Sequence, residues 1–258
     1  MMKRLEKIHA EISDFICTIT IKNPPMNILT KEFRQEFVPY MEELKTSSDV
    51  RVIVLTGEGD RAFCAGADLN EEGELTPESV RQFLEEDCRI YDIVNEMPQP
   101  VIAAVNGYAF GGGFELALAC DIRIMSERAK LCAAGVKVGL VVGPTRLVRL
   151  LGEAYAKEVI LTGRTISADE ALQRGLASRV VSHDKLLAEA HEWAQLIASR
   201  APIAVRHAKN TIQKTMDSEW QEAMKQELDA FIECQDTWDH KHAIESFFNK
   251  KPPVFKGI

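Results

Sequence analysis

The chain has 258 residues, 46% hydrophobic and 27% charged, with 31 Lys+Arg against 39 Asp+Glu for a formal net charge of −8. These proportions describe a globular chain with one substantial core, without need of a disulfide or structural metal, and they exclude disorder, collagen and coiled coil. The acidic balance, spread without a long single-sign block, argues against a nucleic-acid or anionic-membrane footprint.

The first residues, Met-Met-Lys-Arg-Leu-Glu-Lys-Ile-His, carry charge throughout and lack the apolar stretch of a secretory signal, so a cytoplasmic protein is expected. Two β-rich stretches follow, around Lys7–His9 and Phe15–Ile21, with Phe15, Cys17, Ile19 and Ile21 on one face. After Pro24-Pro25, Thr30 is placed to cap a helix whose Phe33, Phe37, Met41 and Leu44 form one apolar stripe. Arg51–Thr56 has the composition of a fully buried strand. Gly57–Leu75 is glycine-rich and reads as irregular. Thr76-Pro77-Glu78 then supplies a cap and a first-turn proline for a helix reaching about Met97.

The longest uncharged run, Met97 to Phe114, spans 18 residues but holds Pro98, Pro100, Asn106 and four glycines, so it reads as buried core and not as a membrane span. It comprises a strand at Val101–Val105 and the glycines 107 and 111–113, and runs into a short apolar helix (Phe114–Cys120), with a further strand at Asp121–Met125. This succession argues for an α/β fold with largely parallel pairing. Ser167-Ala-Asp-Glu170 reads as a capping box for a helix that Gly175 ends, and from His183 the chain is nearly all helical. A boundary is expected near residue 200, dividing residues 1–200 from a helical appendage, 201–258, whose apolar face must pack on something. Six scattered cysteines form no C-x-x-C pair and fit reduced thiols, and no ligand spacing for a metal is present.

The chemistry concentrates in two loops, each following a buried strand: Ala62-Phe-Cys-Ala-Gly-Ala-Asp-Leu69 and Asn106-Gly-Tyr-Ala-Phe-Gly-Gly-Gly-Phe-Glu115. Small residues let backbone N–H groups approach a ligand, and those opening the Phe114 helix gain from its positive dipole end. A pair of such donors from two loops is what an oxyanion hole needs; tight turns with no ligand are the alternative. Glu115, three residues past Gly112 in an otherwise apolar helix, is a candidate general base whose proton affinity apolar surroundings would raise. The competing reading is a structural glutamate bonded to backbone or paired with Arg123.

The two loops, with Leu161-Thr-Gly-Arg-Thr-Ile-Ser-Ala-Asp-Glu-Ala171 and the closing Lys251-Pro-Pro-Val-Phe-Lys256, resemble the enoyl-CoA hydratase/isomerase (crotonase) superfamily over essentially the whole chain. The resemblance implies a spiral of β-β-α units with a C-terminal helical trimerisation region, a homotrimer or homohexamer, and acyl-CoA thioester substrates with no other cofactor. It implies backbone donors at Ala67 and Gly112 and a catalytic Glu115. Ala65, Gly66, Ala67, Asp68, Leu69 and Asn70 would line the substrate with Gly111, Gly112 and Gly135, and Phe247 and Lys250 would reach CoA on a neighbouring subunit.

One departure stands out. Many hydratases carry a second glutamate in a Pro-Glu-φ-x-x-Gly segment, and here Gly135 falls at that position, with no carboxylate between Arg128 and Gly152. Addition of water to a 2-enoyl-CoA is the expected reaction. The alternatives are another enolate reaction on the same scaffold, decarboxylation or double-bond isomerisation, or a non-catalytic CoA-ester or RNA binder.

Overall fold

The computed structural model describes residues 2–258, with side chains from Leu5 onward. Strands β1 (Met2–Arg4), β2 (Ile8–Ser13) and β3 (Ile16–Ile21) pair antiparallel. Cys17, Ile19 and Ile21 face the core as the alternation requires, but Phe15 leaves their face. It belongs to the β2–β3 turn, in the left-handed region at φ 64°, and its exposed ring lies 4.0 Å from the Arg51 guanidinium. Helix α1 (Lys31–Lys45) starts where Thr30 Oγ1 accepts the Phe33 N–H at 3.3 Å, and its predicted stripe is buried.

After β4 (Val52–Gly57), the glycine-rich stretch is more regular than its sequence indicates, holding β5 (Ala62–Cys64) and α2 (Leu69–Gly73). Three-residue strands are too short to show an alternation. Helix α3 (Val80–Asn95) begins later than Pro77, because Thr76 Oγ1 accepts the Ser79 N–H and closes a turn ahead of the helix. Next come β6 (Val101–Val105), β7 (Tyr108–Phe110), α4 (Gly112–Ala119), β8 (Ile122–Ser126) and β9 (Lys130–Cys132). Helices α5 (Pro144–Leu151) and α6 (Glu153–Thr162) lead to β10 (Ile166–Ser167), α7 (Ala168–Gln173) and β11 (Arg179–Val181). The capping box at α7 is half formed: Ser167 Oγ accepts the Glu170 N–H, while the Glu170 carboxylate binds Arg164 and Tyr155. Four helices close the chain, α8 (Leu186–Ala198), α9 (Pro202–Thr215), α10 (Trp220–Gln235) and α11 (Trp238–Phe248).

The strands form a seven-stranded sheet, β1-β2-β3-β4-β6-β8-β11, parallel from β3 onward, and a four-stranded sheet, β10-β9-β7-β5. Strands β4 and β6 are buried at every position because they serve two cores. Ile53, Leu55, Val101 and Ala103 face the larger one, while Val52, Val54, Ile102 and Ala104 pack against Leu186, Ala190 and Ala194 of α8. Within the smaller sheet β5, β7 and β9 run parallel, which brings the two glycine loops out side by side.

Helix α9 begins at Pro202, and its buried Lys209 donates to Asp121 Oδ2 at 2.7 Å and to Gln99 O at 3.1 Å. Asp121 also accepts the Val101 N–H at 2.7 Å, so one carboxylate ties α9 to the start of β6. Breaking a buried pair leaves a charge without its partner. Lys209→Ala is therefore expected to lower unfolding stability by about 3 kcal/mol, read from the urea midpoint. A loss within error of zero would show that Asp121 is adequately solvated alone. Helices α10 and α11 leave Leu228, Phe231, Ile232, Phe247 and Phe248 exposed. Among the described residues, no helix is long and apolar enough to cross a membrane.

Candidate active site

Two backbone tethers shape the first loop: the Ala65 N–H donates to Met26 O at 2.9 Å and the Leu29 N–H to Gly66 O at 2.8 Å. Gly66 adopts φ +101°, and a Cβ there would lie 2.8 Å from the Gly112 nitrogen and 2.9 Å from Phe110 O. A Cβ on Gly113 would strike the carbonyl of Cys64. The glycines are thus required by the close approach of one loop to the other. The neighbouring donors are committed, Gly111 N–H to Cys132 O at 3.0 Å and Gly66 N–H to Cys64 Sγ at 3.4 Å. Burial pushes the Cys64 thiol up to about 12, so it stays protonated at neutral pH and is no nucleophile. In contrast, the N–H groups of Ala67 and Gly112 donate to no acceptor among the described residues. Gly112 is the first residue of α4, at the positive end of its dipole.

Glu115 lies in the first turn of α4, while Phe114, Leu116, Ala117 and Leu118 are buried in the core. Its carboxylate does not sit in apolar surroundings as the sequence suggests. Oε1 accepts the Gly143 N–H at 2.5 Å, and Oε2 accepts from Arg146 Nη1 at 3.1 Å. Arg146 also donates to Asp92 Oδ1 at 2.8 Å. The Arg123 alternative falls, because that guanidinium is buried and spent on the carbonyls of Leu176, Cys120 and Ala117. Gly143 presents its N–H by adopting φ 78° just before Pro144, which opens α5.

Gly135 is buried in a single 3-10 turn, Ala134–Val138. A Cβ there would lie 2.7 Å from Val142 Cγ2, 2.8 Å from Leu140 O and 3.0 Å from the Val142 nitrogen. The segment that carries Gly143 to Glu115 occupies the space a side chain at Gly135 would need. Gly135→Glu is accordingly expected to destabilise by about 2 kcal/mol, through overpacking, and to leave turnover of crotonyl-CoA no higher than in the parent. A gain in turnover would show that the segment yields readily.

Of the other predicted residues, Asp68 caps α2 and accepts from the backbone and side-chain nitrogens of Asn70, both at 2.9 Å, and Leu69 is exposed. Phe247, in the last turn of α11, and Lys250, just beyond that helix, are exposed and share no hydrogen bond, ion pair or ring contact with the glycine loops. Three groups beside the site escape sequence reasoning: Arg146, Asp87 and Tyr91. Arg146 looks like an ordinary polar position of an amphipathic helix. Asp87 carried a weak signal, a carboxylate on the face of α3 that otherwise buries Phe83, Ile90, Tyr91 and Val94.

Residues 11–258 match the model of the enoyl-CoA hydratase/isomerase family. The chain belongs to that family. It is 37% identical over 251 residues to a short-chain-enoyl-CoA hydratase of Clostridium acetobutylicum, covering 96% of each chain. An (E)-benzylidenesuccinyl-CoA hydratase of Thauera aromatica is 35% identical over 96% of this chain and 98% of its own. The crystal structure of an enoyl-CoA hydratase from Bacillus anthracis superposes with a TM-score of 0.93 at 36% identity, covering 98% of this chain and all of that one. As a family member, the chain has the mixed α/β architecture with a C-terminal helical region seen in its structural neighbours.

Proposed function

We propose that the protein adds water across the double bond of a 2-enoyl-CoA thioester. The observation that carries this reading is the pair of free N–H groups, Ala67 and Gly112, on touching loops one helical turn from the Glu115 carboxylate. The thioester oxygen accepts both N–H groups, and Glu115 takes a proton from water as its oxygen attacks C3. The π electrons move to the thioester oxygen as an enolate, and C2 then takes a proton while the carbonyl re-forms. Preorganised donors lower the cost of the enolate because they need no reorientation as charge develops.

Coenzyme A enters as part of the substrate and no resident cofactor is invoked; Ala65 to Asn70 would line its path with Gly111. The exposed apolar residues of α10 and α11 support a homotrimer or homohexamer, in which Phe247 and Lys250 would reach CoA bound to a neighbouring subunit. A cytoplasmic location goes with buried, unpaired thiols at Cys17, Cys64, Cys120 and Cys132. The test is loss of the conjugated thioester absorbance of crotonyl-CoA on adding purified protein, with Glu115→Gln run in parallel. The closed space at Gly135 favours one second reading, decarboxylation of a branched malonyl-type thioester, which needs the oxyanion donors but only one carboxylate. Carbon dioxide release without crotonyl-CoA hydration would replace the first reading by the second.

A further inference from the structure

With no room for a carboxylate at Gly135, the proton delivered to C2 needs another source. The i, i+4 spacing of Asp87 and Tyr91 sets both on one face of α3, which packs against α4. Tyr91 is 4% exposed, and its hydroxyl lies so close to Gly112 that a Cβ on that residue would collide with it. A thioester oxygen held about 3 Å from the Gly112 nitrogen places C2 only two bonds further, within reach of a hydroxyl beside that glycine. Behind the phenol, Asp87 is 8% exposed; its Oδ2 accepts the Tyr91 O–H at 2.6 Å, and its Oδ1 has no hydrogen-bond partner.

A buried carboxylate oxygen without a partner is costly unless it serves a purpose or carries a proton. The nearest cation, Arg34, stands 3.7 Å from Oδ1 but donates to Glu71 at 2.6 Å and to Leu29 O at 3.3 Å. We propose that Tyr91 is the catalytic acid that gives C2 its proton, with Asp87 as the positioning and relay group behind it. Burial pushes the Asp87 carboxyl upward, Glu115 and Glu71 add to this, and the Tyr91 hydroxyl and Arg34 oppose it. When Asp87 holds a proton, the same 2.6 Å contact reverses and frees the phenol O–H for C2. As the enolate collapses, the Tyr91 O–H bond breaks and a C2–H bond forms, and Asp87 returns a proton to the phenolate oxygen. Glu115, protonated by the attacking water, and Asp87, now ionised, are reset by exchange with solvent.

The inference rests on the hydratase reading for its substrate, so the test separates the two. In D2O, the C2 protons of butyryl-CoA report proton exchange at C2 by NMR without any water addition to C3, beside the crotonyl-CoA absorbance assay. Tyr91→Phe is expected to slow both exchange and hydration roughly 100-fold with CoA-ester binding unchanged, and to lower the melting temperature because Asp87 loses its hydrogen-bond donor. Asp87→Asn is expected to slow exchange as well and to flatten its pH profile. Glu115→Gln, which removes hydration, separates the two proton transfers: exchange that survives it and vanishes in Tyr91→Phe supports the assignment. Wild-type exchange without crotonyl-CoA hydration would sink the hydratase reading and leave Tyr91 in place. Hydration with exchange untouched by Tyr91→Phe, or no exchange in the wild type, overturns the assignment.

Discussion

Glu115→Gln is expected to lower crotonyl-CoA turnover by roughly 10³-fold, the scale of losing a positioned general base. The substitution keeps the side-chain shape but supplies no basic oxygen for the attacking water. It also sets an amide NH2 against one of two donors, Gly143 N–H or Arg146 Nη1, both of which bond the native carboxylate. In the proposed mechanism the thioester is held elsewhere, by backbone N–H groups the substitution does not touch, so CoA-ester affinity measured by calorimetry should change little. This is the pattern of a group that acts in the transition state and not in ground-state binding. Turnover within tenfold of the parent would remove Glu115 from the mechanism.

Gly66→Ala carries the second large effect. The new Cβ would sit 2.8 Å from the Gly112 nitrogen in a backbone with φ +101°, so the loops must part and the residue is strained even after they do. Separation of the two N–H donors should cost roughly 10²–10³ in kcat, as loss of one oxyanion donor does. Gly73→Ala is the control. It sits at the end of α2 with nothing within 4 Å of its added Cβ, and its kcat should stay at the parent value. Equal activity in both variants would show that the loops tolerate separation and that the N–H pair is not the oxyanion site.

The sequence discloses those elements whose packing imposes a period on several residues. The stripe of α1, the uniformly apolar β4 and β6, and the Ser167 cap of α7 are examples. The smaller sheet stays hidden because β5, β7 and β9 have three residues each, too few to show an alternation. Phe15 is apolar and in phase with its neighbours, yet a left-handed turn takes it off their face. Both glycine loops were legible because close approach of backbones restricts residue type, and Glu115 because it is the one charge in an otherwise apolar helix. Arg146 and Tyr91 were not, since helix packing across long sequence separations brings them beside Glu115 and Gly112, and no local pattern records that. Gly135 shows the remaining gap: a missing side chain is visible in the sequence, but the loop that has closed over its place is not.

The two N–H groups of Ala67 and Gly112 stand just past the carboxyl ends of β5 and β7, neighbouring parallel strands of one sheet. Parallel strands lie about 4.8 Å apart, so the gauge that sets the donors' separation is the peptide backbone itself. Substitutions along α3, in the first turn of α4 and before α5 can therefore alter which atom gains or loses a proton while leaving the measuring edge intact. A scaffold built this way would let descendants change reaction or acyl group without rebuilding the edge proposed to hold the thioester oxygen.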